Sequence, residues 1–387
     1  MIEKNVVRRT PIDDSFLPTT LHPVIRQIYA SRGVQNEQEL ALTLANMVAV
    51  DTLTGLAKGC DILADTIKMG RRIMVIGDFD ADGATSTALM MESLTLLGSK
   101  NHQFLVPNRF EYGYGLTPEI VDIAKTYDAE LLITVDNGIS CIQGVSHAKA
   151  LNMQVIVTDH HLPGQTLPNA DAIINPNQNA CDFTSKALAG VGVAFYFMLA
   201  LRKHLREQNW FEEQHIAEPN LAQLLDLVAL GTVADVVPLD ANNRILVEQG
   251  LKRIRAGHTR PGIQALIEIS GRNQQQLVAS DFGFALGPRI NAAGRLDDMS
   301  YGINCLLAPD LMMARAMAAE LDDLNKTRRE IEQGMQAEAE RVMKSLSVDA
   351  SCLPFAIALY QKDWHQGVIG IVAGRIKEKF HRPTIVF

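Results

Sequence analysis

The chain has 387 residues, 47% of them hydrophobic, with a formal net charge of −8 and five cysteines. That apolar share supports a substantial core spread over about two or three domains; Cys60, Cys141, Cys181, Cys305 and Cys352 are scattered without Cys-x-x-Cys spacing, which argues against disulfides and zinc and for reduced thiols in the cytosol. The longest nearly uncharged apolar stretch, Leu188 to Leu201, falls short of the ~20 residues a membrane span needs and reads as a buried helix; the opening Met1-Ile2-Glu3-Lys4-Asn5 has no apolar signal segment, so a cytoplasmic protein with no membrane role is expected.

In chain order, residues 1 to about 50 read as a polar lead-in containing Tyr29-Ala30-Ser31-Arg32-Gly33 and then a helical stretch packed on the catalytic core. An apolar, β-branched run through Ile73 to Gly77 predicts a buried strand, and it ends in Asp78-Phe79-Asp80-Ala81-Asp82-Gly83. Three carboxylates at alternate positions repel one another unless cations lie between them, and hard oxygen donors favour Mg²⁺ or Mn²⁺. A solvated acidic turn is the plain alternative. An EF-hand loop is excluded by context, because its twelfth position is Leu89 rather than Glu and a strand precedes it.

Similar runs recur. Leu131 to Val135 leads into Asp136-Asn137-Gly138, and Val155 to Thr158 leads into Asp159-His160-His161. Helical patterns over residues 84–97, 117–127 and 141–151 separate them, so the order is β-α-β-α-β. Right-handed crossovers then give an α/β fold with a parallel sheet, all three polar clusters emerging on one rim. A His pair by itself is more often structural, but here a carboxylate precedes it on a site-forming loop. Asp235 is a lone charge among apolar neighbours in Leu230 to Pro238, a pattern that suits a paired or metal-bound acid. Residues from Leu221 to about 308 read as mainly helical.

Asp159-His160-His161 together with Asp78-Phe79-Asp80-Ala81-Asp82 resembles the DHH phosphoesterase superfamily. Four further stretches narrow the likeness to the RecJ family of single-strand-specific DNA exonucleases: Val106 to Phe110, Gly113-Tyr114-Gly115-Leu116, Gly231 to Asp235, and Gly287-Pro288-Arg289-Ile290-Asn291-Ala292-Ala293-Gly294-Arg295. The similarity runs from about Arg26 to the last residue. It implies a two-metal phosphodiesterase, with two Mg²⁺ or Mn²⁺ ions, that removes nucleotides from the 5′ end of single-stranded DNA in repair and recombination. It further implies Asp80, Asp82, Asp136, His160 and Asp235 as metal ligands, with Asp136 bridging. Asp78 stands near the site and joins the set as a substitute, because Ile76 occupies the position where other members carry a ligating His.

Such a pair of ions, about 3.5–4 Å apart, supports in-line displacement at phosphorus. Beside them His161, adjacent to His160, faces the phosphate as a hydrogen-bond donor or proton carrier, or else orients a ligand; with Asp136 it forms the expected catalytic pair. Arg289 and Arg295 suit bidentate contacts to phosphate oxygens, with a salt-bridging role as the alternative. Asn291, from the same stretch, and Arg109 and Tyr114, on an intervening loop, complete the expected substrate-binding set. The negative net charge leaves room only for local basic tracks; the candidates are Lys252-Arg253-Ile254-Arg255 with His258 and Arg260, and Arg375 to Lys379 with His381 and Arg382. A helicase and a single-strand-binding protein are the partner classes the family suggests.

From Asp310 to about Leu346, apolar residues at Met317, Leu321, Leu324, Ile331, Met335, Val342 and Leu346 predict one long helix bridging two domains, interrupted by Gly334. The expected organisation is a lead-in over 1–50, a catalytic domain over 51–308, a linker helix over 309–347, and over 348–387 the beginning of a second α/β domain. Trp364 to Arg375 resembles the opening of that domain, called DHHA1. Its later strands and Gly-Gly-His segment are missing, so the resemblance points to a truncated chain with the apolar strand Pro383 to Phe387 left at an edge. Two other readings therefore stand beside the exonuclease: a DHH phosphodiesterase acting on short oligonucleotides or cyclic dinucleotides, and a non-catalytic fragment that binds DNA or a partner.

Overall fold

Short β-branched runs that are buried on both faces can only be the centre of a covered parallel sheet. In the computed structural model, which describes residues 7–8, 10–345 and 354–387, three such runs form strands β1 (Ile73–Ile76), β3 (Leu131–Val135) and β4 (Gln154–Thr158). β2 (His102–Leu105) and β5 (Ala172–Ile174) flank them. The sheet order is β2-β1-β3-β4-β5, parallel throughout, with Val75 opposite both Phe104 and Ile133. The protein is an α/β protein, as its alternating pattern predicts. β2 and β5 were not expected: β2 opens on His102-Gln103 at a half-exposed edge, and the apolar run of β5 is only three residues long.

Before the sheet come α1 (Pro23–Ser31) and α2 (Leu56–Lys68). The expected helical stretch after Gly33 is instead three separate 3₁₀ turns at residues 37–40, 44–46 and 50–52, the first closed by Asn36, whose side chain accepts the Glu39 N–H at 3.1 Å. The crossover helices are α3 (Ala81–Leu96), α4 (Pro118–Thr126) and α5 (Ile142–Ala150). The apolar residues of α4 and α5 form one core on one face of the sheet, while α2 and α3 share the larger core on the other.

A helical array extends that larger core: α6 (Gly190–Glu207), α7 (Trp210–Glu213), α8 (Leu225–Ala234), α9 (Ala241–Arg255), α10 (Pro261–Ile269), α11 (Ala279–Asp281), α12 (Gly287–Leu296) and α13 (Ser300–Leu306). A π-helical turn over Phe282–Leu286 joins α11 to α12. Arg260, expected on a surface basic track, is instead buried at the start of α10, with its guanidinium on Asp226 at 2.9 Å and also on Glu92. A buried arginine is stable only when its charge is paired, and this one supports the core rather than facing solvent.

The long helix is α14 (Leu311–Ser345), 35 residues or roughly 50 Å, and it runs through Gly334 without a break. Its first half packs on α10, α12 and α13. Its second half presents Met335, Ala339 and Met343 to a separate small core with β6 (Ile357–Leu359), α15 (Ile369–Phe380) and β7 (Thr384–Val386). β6 and β7 pair in parallel, so β7 is joined along one edge. Leu346, Cys352 and the opening Met1-Ile2-Glu3-Lys4-Asn5 lie outside the described residues.

Candidate metal centre

In a sheet of this order, β1 and β3 send their connections to opposite faces, so a crevice opens beyond their carboxyl ends. The expected acids converge there. Asp80 is the N-cap of α3: its Oδ1 accepts the N–H groups of Asp82 at 2.9 Å and Gly83 at 3.0 Å, which is why the helix begins at Ala81 and not three residues later. This cap turns Asp82 inward, where its Oδ2 accepts the N–H of Gly190 at 2.7 Å and its Oδ1 that of Val191 at 3.0 Å. Those are the first residues of α6, so a buried anion is held at the positive end of a second helix. Asp78 turns back on its own chain, accepting the Phe79 N–H at 2.7 Å.

Asp136 follows β3 with φ +61°, a left-handed conformation that Asp tolerates and that aims its buried side chain at the same point. His160 Nε2 lies 3.2 Å from Asp136 Oδ1, 3.5 Å from Asp235 Oδ2 and 4.0 Å from Asp82 Oδ2. Asp235 is brought in at the C-terminal end of α8. Three overlapping trios place their donor atoms within 4.8 Å of one another: Asp78, Asp80 and Asp136; Asp82, His160 and Asp235; and Asp136, His160 and His161. All six expected ligands thus belong to one cluster, with Asp136 in two of the trios.

Burial first, and then the neighbouring acids, push Asp78, Asp82 and Asp235 up to about 7, and Asp136 is raised for the same reasons. Such a set ionises together only when positive charge is supplied. Two buried atoms, Asp136 Oδ1 and His160 Nε2, have no hydrogen-bond partner. Unpaired buried donors and acceptors are costly, and these two, 3.2 Å apart without hydrogen-bond geometry and surrounded by carboxylates, fit cation ligands. Carboxylate oxygens with one imidazole suit Mg²⁺ or Mn²⁺.

His161 is half exposed, and its Nδ1 lies 2.7 Å from Asp159 Oδ1. This hydrogen bond raises His161 to about 9. Burial alone would raise Asp159, but the His161 contacts and the Ile139 N–H outweigh it and hold that carboxyl below its ordinary value. Tyr114 donates its hydroxyl to the Asp136 carbonyl at 3.3 Å and sets its ring edge-on against Phe79 and His161. The guanidinium of Arg109 covers the Phe79 ring, 3.8 Å from its centroid, and its buried Nε has no partner. Arg295 lies close enough to Asp80 and Arg109 to feel both charges, while its Nη1 donates to the Gly367 carbonyl at 3.2 Å.

Two residues expected to contact substrate make contacts within the protein. Arg289 is occupied by Asp322 on α14, with Nε and Nη2 each 2.8 Å from Oδ1, and Nη1 donates to the Ala285 carbonyl at 2.6 Å. It ties α12 to the linker helix and has no fork left for phosphate. Asn291 accepts the Ala81 N–H at 2.7 Å through Oδ1, so it holds the start of α3. The positions that sequence reasoning missed are Gly190 and Gly231. A Cβ at Gly190 would stand 2.6 Å from Asp136 Oδ1, and one at Gly231 would stand 2.9 Å from Asp82 Oδ1. The signal for both was glycine inside otherwise apolar helical runs, and Gly231 also opens one of the stretches that carry the family resemblance.

A parallel sheet whose β1, β3 and β4 ends assemble this carboxylate–histidine cluster defines a DHH-type core, and residues 72–232 match the model described as the DHH family, N-terminal domain. The chain belongs to the RecJ family. It is 60% identical over 388 residues to the single-stranded-DNA-specific exonuclease RecJ of Salmonella typhimurium, an alignment that covers 100% of this chain and 67% of that protein. The chain spans about two thirds of the length of the relatives it matches from Salmonella typhimurium, Escherichia coli and Dickeya dadantii. A crystal structure of exonuclease RecJ bound to manganese superposes with a TM-score of 0.75 at 35% identity, covering 88% of this chain and 81% of that one. The Thermus thermophilus RecJ structure in complex with Mg²⁺ gives 0.69 at 31% identity, covering 95% and 48%. Among the described residues no helix is long and apolar enough to cross a membrane.

Proposed function

We propose that the protein is a single-stranded-DNA-specific exonuclease that releases mononucleotides in the 5′-to-3′ direction by metal-dependent phosphodiester hydrolysis. The observation that carries this reading is the six-residue cluster of Asp78, Asp80, Asp82, Asp136, His160 and Asp235, with its two unpartnered buried donor atoms, in a chain 60% identical to a protein of that name. These six residues would hold Mn²⁺ or Mg²⁺. When bound, the ions supply the Lewis-acid charge that activates water and neutralises the scissile phosphate.

The chain's own residues do the rest. Arg109 and Arg295 stand near the acids as guanidinium groups to bind phosphate oxygens, and Tyr114 walls the site on the His161 side. His161 is oriented through Nδ1 by Asp159, which leaves its other ring nitrogen to donate to the phosphate or pass a proton. We divide the chain into a lead-in over 1–50, a catalytic domain over 51–308, a linker over 309–347 and a second domain from 348, a reading that the packing of α14 on two separate cores supports. We place the protein in the cytoplasm, in DNA repair and recombination, where a helicase would open duplex and a single-strand-binding protein would cover its substrate.

The test is the purified chain with Mn²⁺ and a single-stranded oligonucleotide labelled at its 3′ end, beside Asp136→Ala and a blunt duplex. Stepwise shortening from the 5′ end, absent from the variant and from the duplex, is the expected result. No cleavage by folded, Mn²⁺-binding protein would refute an autonomous exonuclease.

A further inference from the structure

A groove of about 660 Å³ lies between the π turn and α12 on one side and α14 and α15 on the other. Its charged lining is four arginines, Arg295, Arg328, Arg329 and Arg375, against the single carboxylate of Glu332. Glu332 takes Arg328 at 2.6 Å and Arg375 at 3.1 Å, so the arginines remain in excess. Burial, together with the neighbouring arginines, lowers Arg328. Guanidinium groups held that close together favour a polyanion. Asn291 and Arg295 also line the groove, and they are the residues that touch the start of α3 and feel Asp80. One end of the groove is therefore lined by residues that neighbour the metal centre.

Phe284 stands in that groove with 79% of its surface exposed. Its exposure is imposed by the backbone. Phe282 and Leu286, at the two ends of the π turn, are fully buried, and Gly287 packs so tightly on Ala234 that a Cβ there would come within 3.1 Å. Ala234 is the last residue of α8 and immediately precedes Asp235. A single π turn inside a helix is rare and is frequently found at functional sites. Here it turns one aromatic ring out of the core, fixed to the helix that carries a metal ligand. An exposed ring among arginines matches a ligand that is anionic along its backbone and flat and apolar along its bases.

We propose that Phe284 is a base-stacking platform that selects single-stranded over duplex DNA by engaging a nucleobase of the strand leading to the metal centre. This rests on the nuclease reading above. Only an unpaired strand offers a free base face to such a ring, so the contact discriminates by strandedness and tolerates any sequence.

The experiment compares wild type, Phe284→Ala and Phe284→Trp on oligonucleotides of increasing length and on an equally long strand with abasic spacers, with Mn²⁺ affinity measured for each. Phe284→Ala is expected to raise KM about 5- to 150-fold on normal strands while kcat changes far less, with Phe284→Trp restoring KM. On the abasic strand, wild type and Phe284→Ala should be indistinguishable. An unchanged KM for Phe284→Ala in an enzyme that cleaves normally overturns the stacking role alone. Equal losses on normal and abasic strands overturn it in favour of a structural effect. A wild type that binds Mn²⁺ but neither binds nor cleaves any oligonucleotide overturns both this role and the nuclease reading.

Discussion

The carboxylate of Asp82 accepts the backbone N–H of Gly190 at 2.7 Å, joining the acidic loop after β1 to the first turn of α6 across 108 residues of chain. The same glycine lets Asp136 approach, since a Cβ there would lie within 2.8 Å of three atoms of that side chain. One residue without a side chain thus sets the separation of two candidate ligands.

Gly190→Ala is accordingly expected to weaken Mn²⁺ binding and lower activity by about 10- to 100-fold, the range seen when the support of a ligand is disturbed. Calorimetric titration with Mn²⁺ checks this, and circular dichroism should report an intact fold. Unaltered Mn²⁺ affinity would mean that α6 yields and the glycine is dispensable.

The same long-range contacts mark where the sequence was legible and where it was not. β1, β3 and β4 are buried on both faces, so each is a β-branched run, and the polar residues at their carboxyl ends stand out against it. β2, a half-exposed edge beginning His102-Gln103, has no such contrast. The candidate ligands were readable because closely spaced carboxylates behind strands have few other uses. The roles of Arg289 and Asn291 were not, because a polar side chain in a glycine-rich segment takes its function from whatever folds against it. Here those partners are Asp322 on the linker helix and the Ala81 N–H, 210 residues away.

Metal and pH act on one set of groups. In the metal-free protein Asp78, Asp82 and Asp235 stand near 7, above the ~4 of an unfolded chain. The folded state then binds more protons than the unfolded state between about pH 4 and pH 7, so stability falls as pH rises through that window. Metal displaces those protons, so its stabilisation must rise with pH. The Tm of chelator-treated protein should increase on acidification from pH 7.5 to pH 6, while the Tm gain on adding Mn²⁺ should shrink. A Mn²⁺ shift independent of pH over that range would contradict the assignment of these acids as ligands.

Asp226 separates stability from chemistry. It sits on α8, the helix that ends beside Asp235, and its two oxygens accept from Arg260 at 2.9 and 3.1 Å and from Thr259 at 3.0 Å. Asp226→Ala leaves the buried guanidinium with Glu92 as its remaining acid and should cost about 3–5 kcal/mol, read as a lower denaturation midpoint. Activity per folded molecule should hold, because none of these groups faces the acids. A large loss of activity at unchanged stability would place this network in the catalytic machinery.

His161 is where the geometry bears most directly on catalysis. Its Nδ1 is fixed by Asp159, whose other oxygen takes the Ile139 N–H at 2.8 Å, so the ring is held from behind by a carboxylate that is itself anchored. His160, by contrast, points its Nε2 at Asp82, Asp136 and Asp235. The two neighbouring histidines are expected to fail differently. His160→Ala should lower Mn²⁺ affinity steeply. His161→Ala should leave it within a few-fold and lower kcat by about 10²- to 10⁴-fold, the range for a lost proton carrier or donor. Asp159→Asn should produce a smaller kcat defect of about 10- to 100-fold, because the ring stays but loses its orientation. Steady-state kinetics with parallel Mn²⁺ titrations decide the matter: if His161→Ala loses metal as readily as His160→Ala, its trio with Asp136 and His160 is a ligand set, and the proton has to be carried by another group.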